Sequence, residues 1–307
     1  MPQAQKVKSP DQAFQPQTGI PELPPQYTES LVAFYDILGF SAFVRAHPDA
    51  KDIHRLFQQI KRVASFSRES TEVFGQRFIH FSDTVIRTTP FIRADGLRNR
   101  FGILFHELLA AVHFQLDLVS REQVFLRGAI THGLIFHGET EVYGPGVIRA
   151  YELEKDVAVF PRIIIDPILL TLFERAQVLR SEDNDFAEEQ EYCFSLLKCG
   201  DDGIWFVDYL SAAERELDEQ EYYPVFLANH KRMILRDRDE SIGLERRNHK
   251  YTWLTTYHNA TVNGISKDYL DAMGADRKVL LIGSEEFPLC YLPPPQENTG
   301  GQLEEED

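Results

Sequence analysis

The hydrophobic period of the chain switches repeatedly before residue 180, and each switch predicts an element. Ser30 to Tyr35 is an apolar run of strand character that ends on Asp36 and is followed at once by Gly39. Phe40 to Ala46 reads as a short helix stopped before Pro48, and Asp49 to Ser67 as a longer one. In the longer helix Ile53, Leu56, Phe57, Ile60, Val63 and Ala64 fall on one buried face. Gln76 to Phe81 and Thr84 to Thr89 alternate as two strands joined tightly at Ser82-Asp83, a hairpin.

A polar loop with Arg93, Arg98 and Arg100 leads to a strongly apolar helix, Phe101 to Ser120, then a strand, Gln123 to Thr131. A second hairpin arm follows over Leu134 to Tyr143, then a helix from Val147 to Lys155. Pro161 to Asp166 is a strand and Pro167 to Arg180 a helix opened by proline in its first turn. The acidic run Ser181 to Glu191 predicts a solvated loop. Tyr192 to Lys198 and Ile204 to Tyr209 predict a hairpin around Asp201-Asp202-Gly203. Helices follow over Glu219 to Arg236 and Leu244 to Val262, with a strand near Val279 to Ile282. The order β, α, β, β, α, β with later additions predicts an α/β (α+β) fold, a mixed sheet with packed helices, not a doubly wound sheet. The expected organisation is an N-terminal arm (1–27), a core (28–180), a C-terminal hairpin and helical extension packed on it (181–292), and an acidic tail (293–307).

Length and composition agree with a globular reading: 307 residues with 43% hydrophobic content can bury a sizeable core. The formal charge of −16 disfavours a nucleic-acid or anionic-membrane partner, where a basic face is expected. It leaves room for a small anion, because a metal reverses the local field. Three cysteines, Cys193, Cys199 and Cys290, without CxxC spacing suggest neither a disulfide framework nor a zinc site. No apolar run reaches the ~18 residues of a membrane span; the best candidate, Ile163 to Phe173, contains Asp166 and Pro167. With no signal-peptide core at the N-terminus, the expected location is cytoplasmic.

Asp36 at the end of one strand and Asp83 in a hairpin turn come within a few ångströms of each other if their strands are neighbours. Two carboxylates about 4 Å apart repel by roughly 4 kcal/mol at an effective dielectric of 20, a cost that a divalent cation removes. Mg²⁺ commonly uses one or two carboxylates plus substrate phosphates. The turn Ile37-Leu38-Gly39-Phe40 leads into a helix, so its backbone N–H groups can face a phosphate. Each residue also has an ordinary reading: Asp36 as a helix N-cap, Asp83 as a turn former.

The segments AFYDILGFSAF, FIHFSDTVI, FLRGAITHGLIFHGE, YGPGVIRAYELE and PRIIID, spread in order over residues 30 to 168, resemble the motif series of class III nucleotidyl cyclases. The resemblance implies a ferredoxin-like βαββαβ core. It also implies two Mn²⁺ or Mg²⁺ ions held by Asp36, Asp83 and the Ile37 carbonyl, and a head-to-tail homodimer with two sites at its interface. The departures bear on substrate. Ile79 stands where adenylyl cyclases have a base-reading Lys, Glu141 at the second base-reading position, and Ile148 and Glu152 replace the catalytic Asn and the transition-state Arg. With the DILGFS motif, this combination resembles the bacterial Pycsar pyrimidine cyclases, which implies a cyclic UMP or cyclic CMP product.

Ile79, Phe81 and Glu141 are then the candidate pocket wall. Arg149, three residues before Glu152 on nearly the same helical face, is the first candidate to replace the lost Arg; Arg127 is the second and Arg93 a weaker third. An ordinary ion pair is the competing reading for each. With no sensor domain evident, a separate effector protein is expected to read the product. HELLAAVH lacks the second zincin histidine, since position 110 is Ala110. His132, His137, Trp253, Tyr257 and His258 read as packing or exposed residues.

Overall fold

In the computed structural model, which describes residues 26–47, 49–65, 68–239 and 245–283, the strand expected around Ser30 extends over Thr28–Ile37 (β1) and takes in Asp36. Two helices follow as expected, α1 (Phe40–Ala46) and α2 (Ala50–Ala64), the latter with the Asp49 side chain accepting from the Lys51 N–H. A short α3 (Arg68–Phe74) precedes the hairpin β2 (Arg77–Phe81) and β3 (Thr84–Pro90). Next come α4 (Ile103–Asp117), which runs into a π turn (Leu118–Glu122), β4 (Leu126–His137) and β5 (Val142–Tyr143). Helix α5 (Pro145–Glu152), a second π turn (Leu153–Val157), β6 (Ile163–Ile165) and α6 (Pro167–Arg175) complete the first 180 residues apart from one short 3₁₀ turn. The remainder holds α7 (Phe186–Ser195), β7 (Leu197–Cys199), β8 (Trp205–Val207), α8 (Tyr209–Glu216), α9 (Tyr223–Asp239), α10 (Glu245–Gly264), α11 (Lys267–Ala272) and α12 (Arg277–Leu280).

These strands form one mixed eight-stranded sheet in the order β2-β3-β1-β4-β6-β8-β7, with β5 paired to the far end of β4. Alternation along β1 sorts its residues between two faces. Leu31, Ala33, Tyr35 and Ile37 enter the main core with α2 and α4, whereas Val32 and Phe34 pack under α5 with Ile135 and Ala150. Asp36 continues the second set, so it emerges on the α5 face at the end of the sheet. The register is held from beneath by a buried cluster. Tyr35 Oη donates to Glu107 (2.7 Å), and Arg87 pairs with Glu107 (2.9 Å) while donating to the Ala64 carbonyl (2.7 Å).

Four expectations are corrected. The strand expected to end at Thr131 continues to His137, so the second arm is not a separate hairpin. Gly133 does not break it, because a Cβ there would lie 2.8 Å from the Gly146 Cα: the glycine serves the close approach of α5. The acidic run is not all loop, and the expected hairpin around Asp201-Asp202-Gly203 is present but short: of 192–198 only Leu197 and Lys198 enter its first strand, β7, which pairs with β8. Asp185 accepts from the N–H groups of Ala187 and Glu188 (2.8 and 3.3 Å), acidic residues suit the first turn of α7, and buried Glu189 accepts from the Ser181 N–H (3.0 Å).

Val279 to Ile282 is not a strand but the short helix α12 and its exit. The Leu281 and Ile282 carbonyls are met by Lys231 Nζ (2.7 Å) and Asn259 Nδ2 (2.9 Å) instead of a neighbouring strand. Ile103–Glu122, not Ile163 to Phe173, is the stretch long and apolar enough to cross a membrane by length and composition. Here it packs in the core, with Glu107 inside the Arg87 cluster.

Residues 181 onward add β8 and β7 to the same sheet, and their apolar residues join the same buried cluster as β1 and α4. The expected arm, except for its last two residues, and the acidic tail lie outside the described residues, as does Cys290.

Candidate functional site

The hairpin β2–β3 and strand β4 flank β1, and this adjacency assembles the site. Asp36 pairs in register with Thr84 of β3 on one side and with Arg127 of β4 on the other. The Ile37 N–H donates to the Asp83 carbonyl (3.1 Å), which sets the hairpin turn against the end of β1. The turn is tight, with Ser82 in the left-handed region at φ 54°. The chain then leaves β1 through Leu38, whose N–H donates to the Phe125 carbonyl (2.8 Å), and through Gly39 at φ 77°, with open space where a Cβ would stand. A side chain at Gly39 would be strained and would project toward any bound group.

Asp36, Asp83, Arg127 and residues 37–43 line a cavity of about 640 Å³. Arg236 and Lys250, from α9 and α10, line it too. The electrostatics are crowded. Asp36 is pushed up to about 7, first by burial, then by the carboxylates of Glu154 and Asp83, against the pull of Arg127 and Lys250. Arg127 Nη2 lies 3.6 Å from Asp36 Oδ2 and pairs closely with Glu154, a buried carboxylate carried on the π turn after α5. Burial raises Glu154 as well, against the same guanidinium.

Asp36, Asp83 and residues 37–40 thus line one cavity. Arg149 is not among the residues lining this cavity. Its Nε donates to Asp166 Oδ2 (3.0 Å), the N-cap residue of α6, which also accepts from Thr131 Oγ1 (2.8 Å). Burial pushes Asp166 up, but these hydrogen bonds outweigh it and hold its carboxyl below the usual range. Ile79 and Phe81 lie on β2, half-buried and exposed respectively. Glu141 is exposed in the turn between β4 and β5; none of the three lines the cavity. Trp253, Tyr257 and His258 are packing residues: Trp253 stacks on Phe160, Tyr257 Oη donates to Asp208 (2.6 Å), and His258 meets His230.

Two residues escaped the sequence reading. Glu154 sits in a π turn, a local widening with no periodic signature, and Lys250 belongs to a distant helix whose charged residues read as solvent-facing. Among the described residues no three His, Cys, Asp or Glu side chains form a metal-holding group. Asp36, Asp83 and the Ile37 carbonyl would offer two carboxylates and a carbonyl, an oxygen set that could hold Mg²⁺ or Mn²⁺ completed by phosphate and water. The crowding at Asp36 fits that use, since a divalent ion would offset the repulsion that raises it.

No family model and no curated protein matches the chain. Among solved structures it is similar to a bacterial light-regulated adenylyl cyclase (17% identity, TM-score 0.32, 49% of this chain and 82% of that one). It is similar also to a class III adenylyl cyclase-like ATP-binding protein from Pseudomonas aeruginosa (15%, 0.32, 54% and 40%). A third is an adenylate/guanylate cyclase/hydrolase from Silicibacter pomeroyi (16%, 0.34, 59% and 98%). The likeness is loose and extends over about half of this chain.

Proposed function

We propose that the protein is a metal-dependent nucleotidyl cyclase that converts UTP to 3′,5′-cyclic UMP and pyrophosphate. Cytidylate cyclase activity, giving cyclic CMP, is the nearest alternative. The observation that carries the reading is the convergence of Asp36, Asp83 and Arg127 with the 37–40 backbone in one cavity. Two divalent ions held by Asp36, Asp83 and the Ile37 carbonyl would lower the pKa of the ribose 3′-hydroxyl and offset phosphate charge. The 3′-oxygen attacks the α-phosphorus in line, the hydroxyl proton passes to water, and the bond from that phosphorus to the oxygen bridging to the β-phosphate breaks to release pyrophosphate. The Ile37 and Leu38 N–H groups are taken by the Asp83 and Phe125 carbonyls, so within the 37–40 turn the N–H groups of Gly39 and Phe40 would receive the outgoing phosphates. Arg127 stands nearest in this chain to offset charge on the transferring phosphoryl group.

In the head-to-tail homodimer, Arg149, Ile79, Phe81 and Glu141 act in the partner's site, which accounts for their absence from this cavity. The preference for a pyrimidine rests on Ile79 and Glu141 at the two base-reading positions, and the DILGFS motif supports a signalling role in antiphage defence. We place the enzyme in the cytoplasm with a separate effector as reader of the product.

A silent nucleotide-binding regulatory domain is the second reading, favoured by Ile148 and Glu152, both exposed on α5 where catalytic polar residues are expected. One assay separates the two: incubation with ATP, GTP, CTP or UTP plus Mn²⁺, with products identified by mass. Cyclic UMP or cyclic CMP supports the cyclase; nucleotide binding without turnover supports the silent domain.

A further inference from the structure

The chain carries a net charge of −16, yet its Asp36 cavity collects five cationic side chains among the described residues: Arg55, Arg121, Arg127, Arg236 and Lys250. Four carboxylates, Asp36, Asp83, Glu122 and Asp237, line it too, so the local balance is slightly positive in a strongly acidic protein. A wall of mixed sign suits an anion that arrives with divalent cations.

Two of the five cations come from beyond the motif-bearing region. Arg236 of α9 donates to the Gln123 side chain (2.9 Å) and to the Gln123 carbonyl (3.0 Å), at a residue held in the left-handed region just before β4. That clamp fastens the C-terminal helices to the strand that carries Arg127. Helix α10 packs along α9 and brings Lys250, half-buried, onto the wall of the cavity that Asp36 lines. Its positive charge reaches both Asp36 and Glu154 and holds each below the value that burial alone would set. Lysine is suited to this position because a compact ammonium with rotatable donors on a flexible stem follows phosphate oxygens as a point charge.

We propose that Lys250 binds a substrate phosphate, so that the C-terminal helices complete the nucleotide site of their own chain. This rests on the reading of the cavity as a nucleoside triphosphate site.

The test uses the full chain as wild type, Lys250→Met and Lys250→Arg. Binding of inorganic tripolyphosphate with Mn²⁺ is measured by calorimetry, and KM and kcat for the turned-over nucleotide by product formation. Lys250→Met is expected to weaken tripolyphosphate binding and raise KM about tenfold or more, the scale of one charge-assisted hydrogen bond. Affinity for Mn²⁺ alone should stay within about twofold. Lys250→Arg should recover much of the loss.

Should the Met variant fail to fold, the wild type still decides: Mn²⁺-tripolyphosphate should protect Lys250 from amine acylation read by mass spectrometry. Unprotected labelling would overturn the proposal, as would unchanged binding and KM in a folded Met variant. A wild type that forms no cyclic product but loses tripolyphosphate binding on Lys250→Met would defeat the cyclase reading and uphold this one. A wild type that binds no tripolyphosphate defeats this proposal and leaves the cyclase reading to the product assay.

Discussion

Arg127 stands directly across from Asp36 in the β1–β4 ladder, its Nη2 3.6 Å from an Asp36 oxygen, while the same guanidinium pairs with buried Glu154. Arg127 therefore serves two carboxylates, with Lys250 adding its positive field to both, while a third carboxylate, Asp83, adds to the negative field at Asp36. Burial and these neighbouring carboxylates still outweigh the two cations at Asp36, a balance that a divalent ion would relieve.

Replacing either aspartate separates activity from stability. Asp36→Asn and Asp83→Asn should each abolish cyclic product with Mn²⁺ or Mg²⁺. Full activity in either variant would end the metal assignment.

Without metal, Asp36→Asn should be more stable than the wild type at pH 8. A carboxyl raised from 3.8 to about 7 contributes stability that is complete below pH 3.8 and lost as pH rises through about 7. The advantage of the Asn variant should therefore grow between pH 4 and pH 8 to on the order of 2 kcal/mol, discounted for partial exposure. Urea midpoints at the two pH values measure it.

Arg127→Met should lower stability by about 2 to 3 kcal/mol, because buried Glu154 loses its paired guanidinium and keeps only the longer-range field of Lys250. Turnover should fall with it. Pairing it with Glu154→Gln should restore most of the stability and none of the turnover, which a denaturation series on the two single variants and the double variant would show.

Removing the Tyr35 hydroxyl tests the support beneath the site. Tyr35→Phe takes one hydrogen bond from buried Glu107, which keeps Arg87, so the cost should be about 1.5 to 3 kcal/mol. A midpoint equal to that of the wild type would show that Glu107 is fully satisfied by Arg87.

Acid should weaken the fold through buried histidines. His137 and His258 are each lowered to about 4 mainly by burial, and His230 falls well below its usual 6.5 for the same reason. A depressed pKa means stability that is full above about 6.5 and lost as pH falls through about 4. His258 Nε2 bonds to the Leu280 carbonyl (2.9 Å) and so carries the proton of a neutral ring, and Tyr209 Oη meets His230 Nε2 (2.7 Å). The chain from Tyr209 to Leu280 is satisfied with both rings neutral, and a second proton on His258 would place a buried positive charge there and reverse the direction of the bonds through His230 to Tyr209. His258→Gln should flatten the decline of melting temperature between pH 6.5 and 4.

Local pattern was legible where one face of an element is apolar and its ends are marked. The span of α1 was readable to the residue, and α2 was recognised from its apolar face, which includes Leu56, Ile60 and Ala64, though it ends at Ala64 and not at Ser67. It failed where a partner decides the conformation. The acidic segment at 186–195 becomes helix because Glu189 finds the Ser181 N–H, and 279–282 leaves strand geometry because Lys231 and Asn259 meet its carbonyls.

From the sequence alone came the two aspartates, each at a strand end beside a turn, because strand alternation and turn chemistry are local properties. Only the tertiary structure decided what surrounds them. The order β3-β1-β4 places Arg127 across from Asp36, a π turn swings Glu154 in, and a helix more than two hundred residues away supplies Lys250. Arg149, which its sequence position favoured, is drawn instead to Asp166. The reason is physical: the charge balance of a site is a sum over neighbours in space, and no period along the chain encodes which of them arrive.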